Sequence, residues 1–137
     1  MLSSIGSYSQ TVYAFLDNAP VVRRHTIRIY ARGARLGVLE GMIECESSIV
    51  LRVYERLDFA RQRILTYSYE IWREQQQLCW YDPQEHPHDA SLASSFPHHK
   101  HVPPDTKHHR VPAPELSFTR PNLPILIEEI ERLLSAG

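Results

Sequence analysis

Residues 36–57 read Leu-Gly-Val-Leu-Glu-Gly-Met-Ile-Glu-Cys-Glu-Ser-Ser-Ile-Val-Leu-Arg-Val-Tyr-Glu-Arg-Leu. In the second half Leu51, Val53 and Leu57 alternate with Arg52, Tyr54 and Arg56. A period of two is that of a strand with one face in a core and the other in water. Only Glu46-Ser47-Ser48 separates residues 36–45 from residues 49–57, a link short enough for a hairpin. The two halves are therefore expected as antiparallel neighbours.

Outward from this pair, residues 21–31, 64–73 and 77–81 are rich in β-branched and aromatic side chains and predict three further strands. Arg32-Gly33-Ala34-Arg35 and Arg73-Glu74-Gln75-Gln76 are turn-length links, and residues 58–61, with Asp58 as a cap, hold a helical turn. Five sequential strands on short links predict an antiparallel meander. Its two free edges are places where a second copy can pair, so a homodimer is one possible assembly, although the sequence does not set the oligomeric state.

Helical spacing appears at the two ends. Ile5, Tyr8, Val12, Phe15 and Leu16 predict a helix over residues 3–17, stopped by Asp17-Asn18-Ala19-Pro20 because proline cannot continue a helix. From Asn122 onward Leu126, Ile127, Ile130, Leu133 and Leu134 predict a second, with Asn122 as its cap. The expected fold is α+β, a five-stranded meander with both helices packed on one face, in a single domain over residues 1–137.

A chain of 137 residues with 42% hydrophobic and 23% charged content has the composition of a soluble globular protein. A net charge of −1 excludes a general polyanion binder, but the basic groups are uneven. Five arginines and no acid lie between Asp17 and Glu40, and arginine outnumbers lysine thirteen to two. Its planar fork suits phosphate. Cys45 and Cys79 sit in apolar runs and are read as buried free thiols. No secretory pattern and no spanning run is seen, so a cytoplasmic protein without membrane contact is expected.

Alternation assigns Arg24, Arg28 and Tyr30 to one face of the first strand, and Arg52, Tyr54 and Arg56 to one face of the third. Arginine interleaved with tyrosine can hold RNA, guanidinium on phosphate and ring on base. A merely solvated outer face gives the same pattern.

The remaining segment, residues 83–121, contains no glycine, and seven of the ten prolines fall between Pro83 and Pro114. Seven of the eight histidines lie between His86 and His109. A long, irregular, His/Pro-rich loop is expected here, and loops of that length are more often functional than idle. In extended backbone His99 and His101 share a face while His98 shares the other with Lys100. Two chemistries compete. A histidine pair serving as general base and acid, with Lys100 on the phosphate, cleaves RNA without metal because the 2′-hydroxyl is the nucleophile. Alternatively the chain is a non-catalytic binding module whose histidine loop holds a protein partner or, through His86, His88, His99 and His101, zinc or another transition metal. Asp82, Glu85 and Asp89 offer oxygen ligands or orient an imidazole. An exposed histidine-rich loop without chemistry is the third account. The His108-His109 pair is read as surface, and His25 as a core histidine.

Three signatures then resemble the TumE-like family of toxin–antitoxin modules. The first is Leu-Glu-Gly-Met-Ile-Glu-Cys at residues 39–45 followed by Ile-Val-Leu-Arg-Val-Tyr-Glu at 49–55. The second is Tyr-Ser-Tyr-Glu-Ile-Trp at 67–72. The most specific comprises Trp80-Tyr81-Asp82, His86-Pro87-His88 and Phe96-Pro97-His98-His99-Lys100-His101. The resemblance implies a growth-arresting toxin that acts on RNA and is neutralised by a cognate antitoxin. With the histidine pair read as acid and base, the expected activity is a metal-independent ribonuclease without a cofactor. The matching site positions are Asp82, His86, His88, His98, His99, Lys100 and His101. Glu70 departs from a histidine common in relatives, Gln84-Glu85 replaces an asparagine-containing approach to His86, and Glu46-Ser47-Ser48 lacks the usual glycine.

Overall fold

The hairpin read from residues 36–57 forms the middle of the sheet in the computed structural model, which describes residues 2–136. Its strands are β3 (Leu36–Cys45) and β4 (Ile49–Asp58), paired from Leu36↔Asp58 to Glu44↔Val50. At the turn between them Ser47 and Ser48 take left-handed backbone angles, φ 58° and 62°, which a glycine would hold at less cost. β5 (Arg63–Arg73) and β6 (Gln76–Asp82) continue the antiparallel order.

The sheet has eight strands rather than five. The expected first strand is two, β1 (Val22–His25) and β2 (Arg28–Ala31), both paired with β3. The break falls at Thr26 and Ile27, opposite Gly41. There the backbones approach so closely that a Cβ on Gly41 would lie 2.6 Å from the Thr26 carbonyl oxygen, and Gly41 has φ +147°. Residues 83–121 are also not one irregular loop. A short 3-10 turn (Ala90–Ser95) leads to β7 (His99–His101) and β8 (Arg110–Pro112), which extend the sheet beyond β6. Three-residue strands carry too little periodicity to be read from sequence. Pro112 is tolerated because β8 is the edge strand, where a missing N–H breaks no ladder.

Both helices, α1 (Ile5–Asn18) and α2 (Leu123–Ala136), pack on the same face of the sheet. Ser4 caps α1 by accepting the Ser7 amide. Asn122 stands at the start of α2, but its side chain serves Tyr69 and Ser117 instead of the helix. Tyr8, Val12 and Leu16 of α1, with Leu123, Leu126, Ile127 and Ile130 of α2, meet Leu39, Ile43, Leu51, Leu57, Ile64 and Ile71 of the sheet. Glu55 is completely buried among them. It accepts a hydrogen bond from Tyr8 Oη of α1 and another from Tyr69 Oη of β5, both at 2.5 Å, and Tyr69 Oη accepts from Asn122 Nδ2 at 3.0 Å.

Cys45 and Cys79 are free and buried, and burial pushes each thiol up to about 11. Burial also raises the pKa of Tyr8, Tyr67, Tyr69 and Tyr81, helped by Glu55 beside Tyr8 and Tyr69, by Asp82 near Tyr67 and by Cys79 near Tyr81. A raised folded pKa lends stability below the ordinary tyrosine value near 10, and that stability is lost as pH climbs past it. In an alkaline titration followed by phenolate absorbance, these four of the seven tyrosines ionise only with unfolding. Titration of all seven near pH 10 in the folded protein would contradict this packing.

Candidate active site

Antiparallel register decides which side chains share a face. Cross-strand partners run Met42↔Arg52↔Glu70↔Trp80↔His101↔Arg110 along one row, all on the sheet face opposite the helices. In the same register Asp82 pairs with His99. The outer face therefore collects Asp82, His99 and His101, because the alternation Trp80-x-Asp82 meets the alternation His99-x-His101 on adjacent strands.

These three form a tight cluster. His99 Nε2 lies 3.2 Å from Asp82 Oδ1, His101 Nε2 lies 3.2 Å from Asp82 Oδ2, and the two Nε2 atoms are 3.1 Å apart. His99 is 1% exposed, His101 4% and Asp82 8%. Both rings are anchored from behind. His99 Nδ1 donates to the Pro97 carbonyl at 3.1 Å, and His101 Nδ1 donates to the Thr106 carbonyl at 2.7 Å. Asp82 Oδ1 also accepts the Gln84 amide at 2.8 Å.

Three more residues surround the cluster. Trp80 stacks on His101 with centroids 4.2 Å apart, and His86 meets His99 edge-on at 5.0 Å. His86 is half-buried, and its Nε2 atom is buried with no hydrogen-bond partner. Arg110, beside His101 on β8, contributes positive charge that acts on both His86 and His99.

Electrostatics separate the groups. Burial opposes a charged His99, but the Asp82 carboxylate and the Pro97 carbonyl outweigh it and its pKa is raised. For His101 burial prevails over Asp82 and the pKa is lowered. Burial would raise Asp82, yet His99 and the Gln84 amide hold it below the usual carboxylate range. Burial first, then Arg110, lowers His86.

A family model described as Toxin TumE matches residues 12–134. The chain belongs to the TumE toxin family. No curated protein and no solved structure matches it. As a TumE toxin it is the toxin half of a toxin–antitoxin pair and has an antitoxin partner. No helix among the described residues is long and apolar enough to cross a membrane.

Not every histidine of the TumE signature reaches the cluster. His88 is exposed. His98 turns to the helix side, where its Nδ1 lies 2.6 Å from Tyr67 Oη and its ring stacks on Tyr67. Lys100 also faces the helices, with Nζ 2.7 Å from Glu129 of α2 and above the Tyr81 ring. The pair clamps β7 from behind while His99 and His101 point the other way. His108 and His109 are exposed, as expected of surface groups, and His25 is half-buried against Tyr13.

The six arginine and tyrosine positions read from sequence do share the outer face, in register through Arg24↔Glu44, Arg28↔Glu40↔Tyr54 and Tyr30↔Val38↔Arg56. Arg24 and Arg28 are paired with Glu44 and Glu40, and Tyr30 also bonds Glu40. Arg52 lies over the Trp72 ring at 5.1 Å, and Arg56 and Tyr54 are exposed. Glu70 accepts from Trp72 and Gln77 in the row between Arg52 and Trp80. Trp80 and Arg110 were not singled out as site residues from the sequence. Trp80 was visible as the outward neighbour of Asp82, whereas Arg110 depends on a strand that sequence does not reveal.

Proposed function

We propose that this toxin is a ribonuclease that lays RNA across the outer face of the sheet and cuts it at the Asp82–His99–His101 cluster. The observation that carries this is the single row Arg52–Glu70–Trp80–His101, which lines cation, aromatic ring and imidazole along one face. Three strand spacings separate Arg52 from His101, about 14 Å, a span of two or three nucleotides. Arg52 and Arg56 take phosphates, and Tyr54 and Trp72 offer rings for bases.

Cleavage through the 2′-hydroxyl needs a proton acceptor for that hydroxyl, a donor for the leaving 5′-oxygen, and positive charge beside the phosphorane. The products are a 2′,3′-cyclic phosphate and a 5′-hydroxyl. The imidazoles and carboxylate of the cluster, with His86 beside them, serve the proton transfers, and Arg110 serves the charge.

The test is induction in cells with total RNA run on a gel, comparing wild type with His99→Gln/His101→Gln and Arg52→Ala/Arg56→Ala double variants. Fragmentation and arrest are expected in wild type, loss of both in the histidine variant, and weakened arrest in the arginine variant. Arrest with intact RNA would refute the ribonuclease and direct attention to a protein target.

A further inference from the structure

Asp82, His99 and His101 present lone-pair atoms to one another, and nothing between them donates a hydrogen bond when the rings are neutral. A carbonyl oxygen only accepts, so each Nδ1 facing Pro97 or Thr106 carries its ring proton, and each neutral ring has a bare lone pair at Nε2. Two such lone pairs then face each other at 3.1 Å, and each faces a carboxylate oxygen at 3.2 Å, in a site at most 8% exposed. Three electron-rich groups converging out of water are unfavourable without a cation among them.

We propose that this cluster is a binding site for a divalent first-row transition-metal ion, held by His99 Nε2, His101 Nε2 and the Asp82 carboxylate. Spacing supports it. Metal–ligand bonds of roughly 2.0–2.1 Å in a tetrahedron put the ligand atoms about 3.3 Å apart, close to the 3.1 and 3.2 Å observed. The Pro97 and Thr106 carbonyls on Nδ1 fix each ring's tautomer and orientation, leaving Nε2 free to ligate. Two imidazoles and one carboxylate suit zinc, iron, cobalt or nickel and leave a coordination position for water or substrate, as catalytic metal sites do. The unpartnered His86 Nε2 stands next to His99 for proton transfer or as a further ligand.

This ligand set differs from the zinc alternative drawn from sequence, because Asp82 joins the site and the exposed His88 does not. It is a statement about binding and holds whether or not RNA is the substrate. If RNA is, a bound ion would take over the proton-transfer role given above to the His99 and His101 imidazoles, which would then be ligands, by lowering the pKa of a water beside His86.

The experiment uses the whole chain, stripped with chelator and titrated with Zn²⁺ or Co²⁺ alone. One ion per chain is expected, with a gain in Tm of about 10 °C at a hundredfold excess over Kd and visible ligand-field absorption from Co²⁺. Asp82→Asn and His101→Gln should each weaken binding at least 10-fold, while a His88→Ala/His108→Ala variant binds as wild type does. Long-range ¹H–¹⁵N spectra of the wild type give a readout that needs no variant: two histidines shift at Nε2 and keep Nδ1 protonated. No stoichiometric uptake, or binding unaffected by Asp82→Asn but lost in His88→Ala/His108→Ala, would overturn the site in favour of a proton shared between the two rings.

Discussion

If the proposed ribonuclease reading holds, Asp82→Asn is expected to abolish growth arrest and to lower RNA cleavage by roughly 100-fold or more, the scale of losing a metal ligand or the partner of an acid–base imidazole. The substitution is close to isosteric. Asparagine keeps an oxygen for the Gln84 amide, so the turn after β6 is retained. What it removes is the negative charge that both Nε2 atoms face at 3.2 Å. The variant therefore folds, shows wild-type far-ultraviolet circular dichroism, and is inert when induced. Full toxicity in Asp82→Asn would separate the cluster from the toxin's action and leave it a packing feature of β6 and β7.

The second large effect concerns stability. Glu55→Ala is expected to cost about 3–5 kcal/mol, because it opens a cavity and leaves buried phenol groups without their acceptor. Tyr8 Oη has Glu55 as its hydrogen-bond partner, and Tyr69 Oη donates there while receiving Asn122. Both helices are thus joined to the sheet through one carboxylate. Chemical denaturation measures the loss. In a triple variant, Glu55→Leu with Tyr8→Phe and Tyr69→Phe, most of the stability returns, since removing donors and acceptor together leaves little unpaired. Recovery stays incomplete because Asn122 Nδ2 loses one acceptor. If Glu55→Ala costs less than 1 kcal/mol, the network does not hold the helices.

Much of the sheet was legible because its strands are long and one-sided. β3, β4, β5 and β6 match their predicted spans within a residue at either end, and the outward arginines and tyrosines followed from period two. The helices were equally plain from spacing. What escaped was set by tertiary contact. Nothing local to residues 21–31 announces that Gly41 must approach Thr26. β7 and β8 are three residues each, in a stretch whose prolines argue against strands. The facing of His99 and His101 was predictable from alternation, but Asp82 could be placed against them only once β7 paired with β6. The opposite orientation of Lys100 follows from that same alternation. Its pairing with Glu129 depends on where α2 docks.

The order of residues along the chain has a consequence for the cell that makes this toxin. The Asp82–His99–His101 cluster is completed by β7. That strand is held on one side by β8 and from behind by the Lys100–Glu129 pair, and Ser95 Oγ, just ahead of it, takes the Ala113 amide. Those supports, apart from Ser95, follow β7 in the chain. A nascent chain therefore carries its arginine face, on β1 to β4, before it carries an ordered Asp82–His99–His101 cluster.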